Sequence, residues 1–292
     1  MSKWVDKHLK VIFMAPVIIF VLVMIVAPML YTIGLSFCDW SMSNIKPPEF
    51  VGASNYIDLF HDDRFWGAVL RTFLFVIGAI VVETLLGIGI AVLINRKFFA
   101  TNVIKTVFIL PVVATPVAVG MVWKLILEPT IGYANVLVSA FGLPKQQFLA
   151  SASQVLPSLI MIDVWEWTPM VMLMVLAGLM TIPGEMYESA KVDGASPVQR
   201  FFHITIPLAS PAILSAILLR LIDVIKTFDI IYATTQGGPG YASETINILA
   251  TVTSFQYFQF GDASAITVMF FLVVILIACI FMFVKKKVEV DY

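Results

Sequence analysis

The sequence predicts an all-α polytopic membrane protein with six transmembrane helices. Three observations carry this expectation. Of 292 residues, 60% are hydrophobic and 13% charged, with mean hydropathy +0.96. Soluble domains run nearer half apolar and a quarter charged, so too few charges remain here to cover a soluble surface. Six segments reach the roughly 20 apolar residues that cross a hydrocarbon core. The basic residues, finally, are sorted by the side of those segments on which they fall. That sorting makes the net charge of −1 uninformative about partners.

The spans follow in order. Residues 11–37 come after Lys3, Lys7 and Lys10. This apolar stretch is too long for a signal-peptide core and no A-x-A site follows, so it reads as a retained anchor. Residues 39–67 are polar and acidic, with Pro47, Pro48, Asp58, Asp62 and Asp63. Spans two and three cover 68–94 and 103–127, and Arg96 and Lys97 lie between them. Span four covers 155–180, span five 207–234 and span six 265–284. The connection between spans five and six has no basic residue from 236 to 264 and opens with "QGGPG", a turn signal. No connection can hold an ordinary soluble domain, so residues 1–292 form one transmembrane domain.

Cytoplasmic ends and loops carry the excess of Lys and Arg. One set of ends and loops holds Lys3, Lys7, Lys10, Arg96, Lys97, Lys105, Lys191, Arg200, Lys285, Lys286 and Lys287; the opposite set holds Lys46, Arg64, Arg71 and Lys145. Both termini are therefore expected in the cytoplasm, with the stretch 185–207 between spans four and five.

Several functions are excluded. No G-x-x-x-x-G-K-[ST] is present, so no phosphate-cradling loop binds a nucleotide. No His/Cys/Asp/Glu cluster has metal spacing, and no H-E-x-x-H marks an intramembrane enzyme. Cys38 and Cys279 lie near opposite ends and make no framework. His8, His61 and His203 are scattered, as solvated surface residues are. A secondary transporter stays as an alternative, although it often shows two similar halves and none are visible.

The stretch 185–207, "EMYESAKVDGASPVQRFFHITIP", is longer than a connection needs and has its own design. Pro183 and Gly184 break the preceding helix. Glu185–Val192 reads as a short helix with Met186, Ala190 and Tyr187 toward an apolar side. "DGASP" is a turn in which Gly194 permits positive φ and Ser196-Pro197 starts a second helix. Phe201 and Phe202 are exposed to whatever lies below, and Pro207 opens span five. Two readings stand: an elbow that transmits force to a partner, or an amphipathic elbow resting on lipid.

This stretch resembles the EAA loop of permease subunits in type I bacterial ABC importers. That family's pattern is E-A-A, three residues, G, nine residues, then I-x-L-P. Here Glu188-Ser189-Ala190 precede Gly194 at the required spacing, and Ile204-Thr205-Ile206-Pro207 close the motif; Ser189 and Ile206 depart mildly. "KTFDIIYATTQGGPG" (226–240), "DVWEWTP" (163–169) and "ILPVVATPVAVGMVWKLI" (109–126) resemble segments of sugar-specific permeases of the maltose type. The resemblance implies a MetI-like core in a bacterial inner membrane. It also implies a second, homologous permease, most simply as a heterodimer, two ATPase subunits that bind ATP and Mg, and an extracytoplasmic solute-binding protein. No cofactor is expected in this chain and no nucleic acid as partner. Coupling to the ATPase would fall to Glu188, Ser189, Ala190, Asp193, Gly194 and Phe201.

Charges inside spans mark pathways by default. Span five carries Arg220, Asp223, Lys226 and Asp229, three residues apart. They could neutralise one another as an ion ladder. Three residues fall short of the 3.6 of a full turn, so some would face a cavity instead. In span four, Asp163 and Trp167 share a face. A ring beside a carboxylate suits a sugar, although packing and a buried structural acid explain the pair equally. The maltose-type pattern places the counterparts of Asp163, Trp165 and Trp167 at the solute site, and Thr227 and Phe228 match a second strip of it; Asp223 and Lys226 of the charged series are further candidates there. Glu83 is a further intramembrane acid, with Lys226 as its nominal partner. Balanced charges and tryptophans favour a sugar, polyol or oligosaccharide over a phosphodiester, peptide or amino acid.

Overall fold

The computed structural model describes residues 13–42, 46–95 and 101–288. Lys3, Lys7, Lys10, Arg96 and Lys97, which weigh in the expected orientation, lie outside them. The chain is mainly helical and separates into two compact units, 1–66 with 249–272, and 67–248 with 273–292. Among the described residues, five helices are long and apolar enough to cross a membrane, or six if one bent pair counts as a single span.

The first unit begins with α1, Phe13–Leu35, which includes a π-helical stretch at Leu22–Val26. Strands β1 (Cys38–Asp39) and β2 (Glu49–Phe50) pair antiparallel, and α2 (Ser54–Phe60) follows. Asn55 ties these parts together: its Nδ2 donates to the carbonyls of Ser36 and Cys38, both at 3.0 Å. The start of the last helix closes the unit. The Phe260 and Gly261 amides both donate to the Trp40 carbonyl, and the Trp40 and Phe260 rings lie 5.1 Å apart. A Cβ at Gly261 would collide with the Cys38 carbonyl oxygen, so this approach needs glycine.

The second unit holds most of the remaining helices: α3 (Asp63–Ile94, from Gly67 on), α4 (Thr101–Val113), α5 (Pro116–Ile126), α6 (Tyr133–Ala140) and α7 (Val155–Met180). Next come α8 (Gly184–Val192), α9 (Pro197–Val224) and α10 (Asp229–Thr234). Helices α11 (Ile246–Phe255) and α12 (Phe260–Val288) belong partly to each unit. Helix α7 has no single apolar face and is buried on several, from Val155 and Leu159 to Leu176 and Leu179, with Asp163 and Glu166 buried among them. A helix with that pattern sits at the centre of its bundle. It packs mainly on α9. Val171, Met172 and Val175 of α7 meet Ala209, Ile213 and Ala216 of α9 and Ala91 and Ile94 of α3 in one cluster.

Span three is not the straight helix expected over 103–127. It bends by 97° between α4 and α5. The cause is local: Pro111 lies in α4, and Thr115, before Pro116, is held extended at φ −76°, ψ 138°, as a residue preceding proline is.

Span five differs at both ends from the expected 207–234. Pro207 does not open it. The second elbow helix runs on without a stop, so α9 covers 28 residues from Pro197. A π-helical stretch, Phe201–Thr205, leads into Pro207. The Ile206 amide reaches back to the Phe201 carbonyl, and this wider turn accommodates a proline that cannot donate. The helix ends at Val224, and Ile225–Phe228 break it before α10 starts at Asp229.

The loop opening with "QGGPG" does contain the expected turns, with Gly237 at φ +93° and Gly240 at φ +54°. It is packed rather than solvated. Ser243, Glu244 and Thr245 are buried, Arg71 donates to the Glu244 carbonyl at 2.8 Å, and the Ile246 amide donates to Thr72 Oγ1 at 3.0 Å.

At Gly178 a Cβ would overlap that of Ala212, so α7 and α9 approach too closely there for any side chain. Gly178→Val is expected to cost about 1–3 kcal/mol through overpacking. The midpoint of thermal aggregation in detergent measures this; a midpoint equal to the parent's would mean that the two helices do not touch at that level.

Candidate functional site

Two regions of the second unit carry polar chemistry: a buried ion cluster beside a cavity, and the elbow.

The cluster is built by three helices. Arg220 of α9 donates from Nε to Glu83 Oε2 of α3 at 2.7 Å and from a terminal nitrogen to Glu83 Oε1 at 3.1 Å. That terminal nitrogen also donates to Asp163 Oδ2 of α7. All three side chains are at most 2% exposed. The guanidinium lies under the Trp167 ring, 5.0 Å from its centre. This corrects two expectations. Glu83 is paired with Arg220, not with Lys226. The ladder along span five does not form as a whole, because Arg220 turns inward to other helices. Among its rungs only Lys226–Asp223 is present, at 3.3 Å and largely exposed.

Beside the cluster is a cavity of about 230 Å³. Of the residues expected at the solute site, Asp163, Trp167, Asp223, Lys226, Thr227 and Phe228 line it together. The broken stretch of span five forms one wall, since Lys226, Thr227 and Phe228 are not helical. Irregular backbone at membrane depth is tolerated where it lines a wet cavity. Pro116, at the start of α5 beyond the 97° bend, also lines it. Gly120 lets α5 lie against α10, because a Cβ there would stand 3.3 Å from Ala233 Cβ and 3.4 Å from the Ile230 carbonyl. Phe228 is stacked on Tyr232, with centroids 5.0 Å apart.

Trp165 is not brought together with these residues. Two positions from both Asp163 and Trp167, it is turned roughly 200° around the helix. It lines a separate, apolar cavity of about 670 Å³ with Leu86, Phe108, Pro111 and Met161. Its ring meets Trp123 edge-on at 5.5 Å. The smaller cavity is the stronger candidate despite its size, because it holds the charged groups and the larger one has almost none.

Sequence reading missed the parts of this site that depend on distant residues. Pro116 and Ile230 line the cavity because of the bend and the break. Asp229 stands at the first turn of α10 and also faces in. Glu166 is fully buried, and neither of its carboxylate oxygens has a hydrogen-bond partner among the described residues; Asp163 Oδ1 is likewise unpartnered.

The elbow matches its local signals. Helix α8 closes through Gly194, at φ +81°, with the Gly194 amide donating to the Lys191 carbonyl and the Ala195 amide to that of Ala190. This is a glycine C-cap of the Schellman type. Among the described residues nothing lies within 4 Å of a Cβ at Gly194, so the requirement is backbone conformation and not space. Ser196 and Gln199 form a reciprocal capping box at the start of α9. The Tyr187 and Thr205 hydroxyls meet at 3.0 Å and hold the two arms together. Glu188, Ser189, Asp193 and Gly194 are exposed and Ala190 half-buried. Phe202 is 60% exposed. Phe201 is half-buried instead, packed on Phe202 at 4.9 Å. It lines a groove of about 470 Å³ with Asn95, Leu179, Tyr187 and Arg200.

Residues 83–289 match the model of the family described as binding-protein-dependent transport system inner membrane component. The chain belongs to this family. As a permease it has relatives along nearly its whole length. The trehalose/maltose transport system permease protein MalF of Thermococcus litoralis is 32% identical over 287 residues, covering 97% of this chain and 96% of that protein. A probable ABC transporter permease protein, y4oQ, of Sinorhizobium fredii is 34% identical over 258 residues, covering 87% and 82%. A chain of the bacterial alginate ABC transporter, crystallised with a periplasmic protein carrying alginate pentasaccharide, shares the permease fold at TM-score 0.84. That match covers 98% of this chain and 97% of the other at 22% identity.

The cluster sets a stability test. Arg220→Ala leaves two carboxylates facing each other in an apolar interior, and breaking a buried pair costs about 3–5 kcal/mol. The yield of monodisperse protein in detergent is expected to fall sharply. The combination Arg220→Met, Glu83→Gln, Asp163→Asn removes every formal charge of the cluster and is expected to restore most of that yield. Equal yields from parent and Arg220→Ala would show that the cluster does not hold the helices.

Proposed function

We propose that this permease forms half of the translocation pathway of an ATP-driven importer for a sugar, polyol or oligosaccharide. The observation that carries the reading is the cavity at the break of span five. Two carboxylates, Asp163 and Asp223, the Trp167 indole beside a guanidinium and a strip of non-helical backbone line one small space. Carboxylates accept hydrogen bonds from hydroxyl groups, and a ring covers the C–H face of a sugar. In this reading Asp163, Trp167, Asp223, Lys226, Thr227 and Phe228 contact the solute as it passes, and Trp165 faces away from it.

The bent pair α4–α5 counts as one span, which makes six, and both termini face the cytoplasm. The elbow then also faces the cytoplasm, where it docks on an ATPase subunit. Glu188, exposed on α8, supplies a charged hydrogen bond, and Asp193, Gly194 and the Phe201–Phe202 pair shape the docking surface. ATP and Mg belong to two such ATPase subunits, a second permease completes the pathway, and an external binding protein delivers the solute. The relatives whose names include trehalose and maltose support a saccharide as cargo.

Uptake of labelled maltose or trehalose into proteoliposomes tests this, using the complex purified with its native partners. Trp167→Ala is expected to lower uptake at least tenfold at unchanged protein level, with Trp167→Phe intermediate. Full uptake by Trp167→Ala would remove the cavity from the pathway.

The elbow has a separate test. A non-glycine residue in the left-handed region loses about 1–2 kcal/mol, less for Asn. Gly194→Val is therefore expected to reduce ATPase subunits recovered with the permease more than Gly194→Asn does, and Glu188→Ala to reduce coupled uptake. Equal recovery from all three variants and the parent would leave the elbow as a lipid-surface connector.

A further inference from the structure

The charges around the cavity do not balance. Asp163, Asp223 and Asp229 line it against Arg220 and Lys226. Both cations are already engaged. Arg220 is held by the Glu83 carboxylate through two hydrogen bonds and by Asp163 as a third contact. Lys226 is 3.3 Å from Asp223. The acids have more to spare. Asp163 Oδ1 has no hydrogen-bond partner among the described residues. Asp229 makes no ion pair among the described residues. Four carboxyl groups, those of Glu83, Asp163, Asp223 and Asp229, thus stand against two cations.

We infer that the cavity is an anion-excluding site, and that Glu83 and Asp229 set this selectivity: the saccharides that pass carry no carboxylate, sulfonate or phosphate group. This rests on the cavity being the solute site. An acidic saccharide would meet an arginine already paired with two carboxylates, with those of Asp223 and Asp229 lining the same space. Like charges a few ångströms apart repel strongly where water is scarce. A hydroxyl meets the opposite situation, since the Asp223 and Asp229 carboxylates that line the cavity are acceptors. Glu83 does not line the cavity. It acts through Arg220, by cancelling the one buried cation that could have received an anion. Asp229 acts directly, from the rim. The fold itself does not impose this, because an importer of the acidic polysaccharide alginate shares it.

The test uses the whole importer with its native partners in proteoliposomes. Uptake is compared for maltose and for the same disaccharide with its terminal C6 oxidised to a carboxylate, each at a concentration that saturates the binding protein. The parent is expected to carry maltose at least tenfold faster. Asp229→Asn is expected to raise the acid-to-neutral uptake ratio several-fold, and Glu83→Gln about tenfold. The binding protein is common to all three complexes, so its own preference cancels in the change of ratio. If Glu83→Gln does not fold, Asp229→Asn decides alone, since that residue is exposed. A ratio unchanged by the folded variants, or equal uptake of the two sugars by the parent, overturns the inference and leaves the saccharide reading standing. Uptake of neither sugar by the parent overturns both.

Discussion

An arginine inside a membrane-spanning bundle is the constraint on which the second unit depends. Arg220 is 2% exposed, and an unpaired charge at that depth costs several kcal/mol. It is tolerated because Glu83 and Asp163 reach it from two other helices. The pairing sets the rotation of all three: α3 must present Glu83, α7 must present Asp163, and α9 must carry Arg220 on the face between them. Apolar packing alone would not set these rotations as sharply, since Leu, Ile and Val interchange at modest cost in a core. The Val171–Ala216 cluster fills the space, but the ions specify the register. Trp167 then follows, one turn from Asp163, with its ring against the guanidinium. The position of a proposed solute contact is thus a by-product of how a buried cation is satisfied.

What the sequence disclosed and what it hid separate along one physical line. Features set by nearby residues were legible. Val155–Met180 appears with the expected bounds because its apolar run ends in Thr181–Gly184. The elbow was legible because glycine at a helix C-cap and a serine capping box act within four residues. The break in span five was not, because apolar residues continue on both sides of Lys226–Phe228 and hydropathy cannot see a dihedral angle. Arg220 looked like one rung of a ladder with Asp223, its local neighbour. Its actual partner Glu83 is 137 residues away, and no local pattern records such a pair. Trp165 illustrates the opposite error: a motif match grouped it with Asp163 and Trp167, although helical geometry turns it to another face. The signal was available in the spacing of two.

The uninterrupted course of α9 gives the proposed coupling a mechanical basis. An elbow helix ending at Pro207 would have needed a joint between the ATPase and the pathway, and a joint absorbs motion. Pro197–Val224 has none. At about 1.5 Å per residue, 28 residues make a rod of roughly 40 Å. The π-helical turn at Phe201–Thr205 is what allows it, since it accommodates Pro207 without ending the helix. The capping box at Ser196 is one end of this rod. The break at Ile225–Phe228, which lines the cavity, is the other. Arg220 lies one turn short of the break and is gripped by two neighbouring helices, so a displacement of the elbow cannot move the rod as a free body. The weakest element beyond the grip is the non-helical stretch itself. In the proposed coupling, strain introduced at the elbow is therefore delivered to the wall of the cavity, where the helix has already ended.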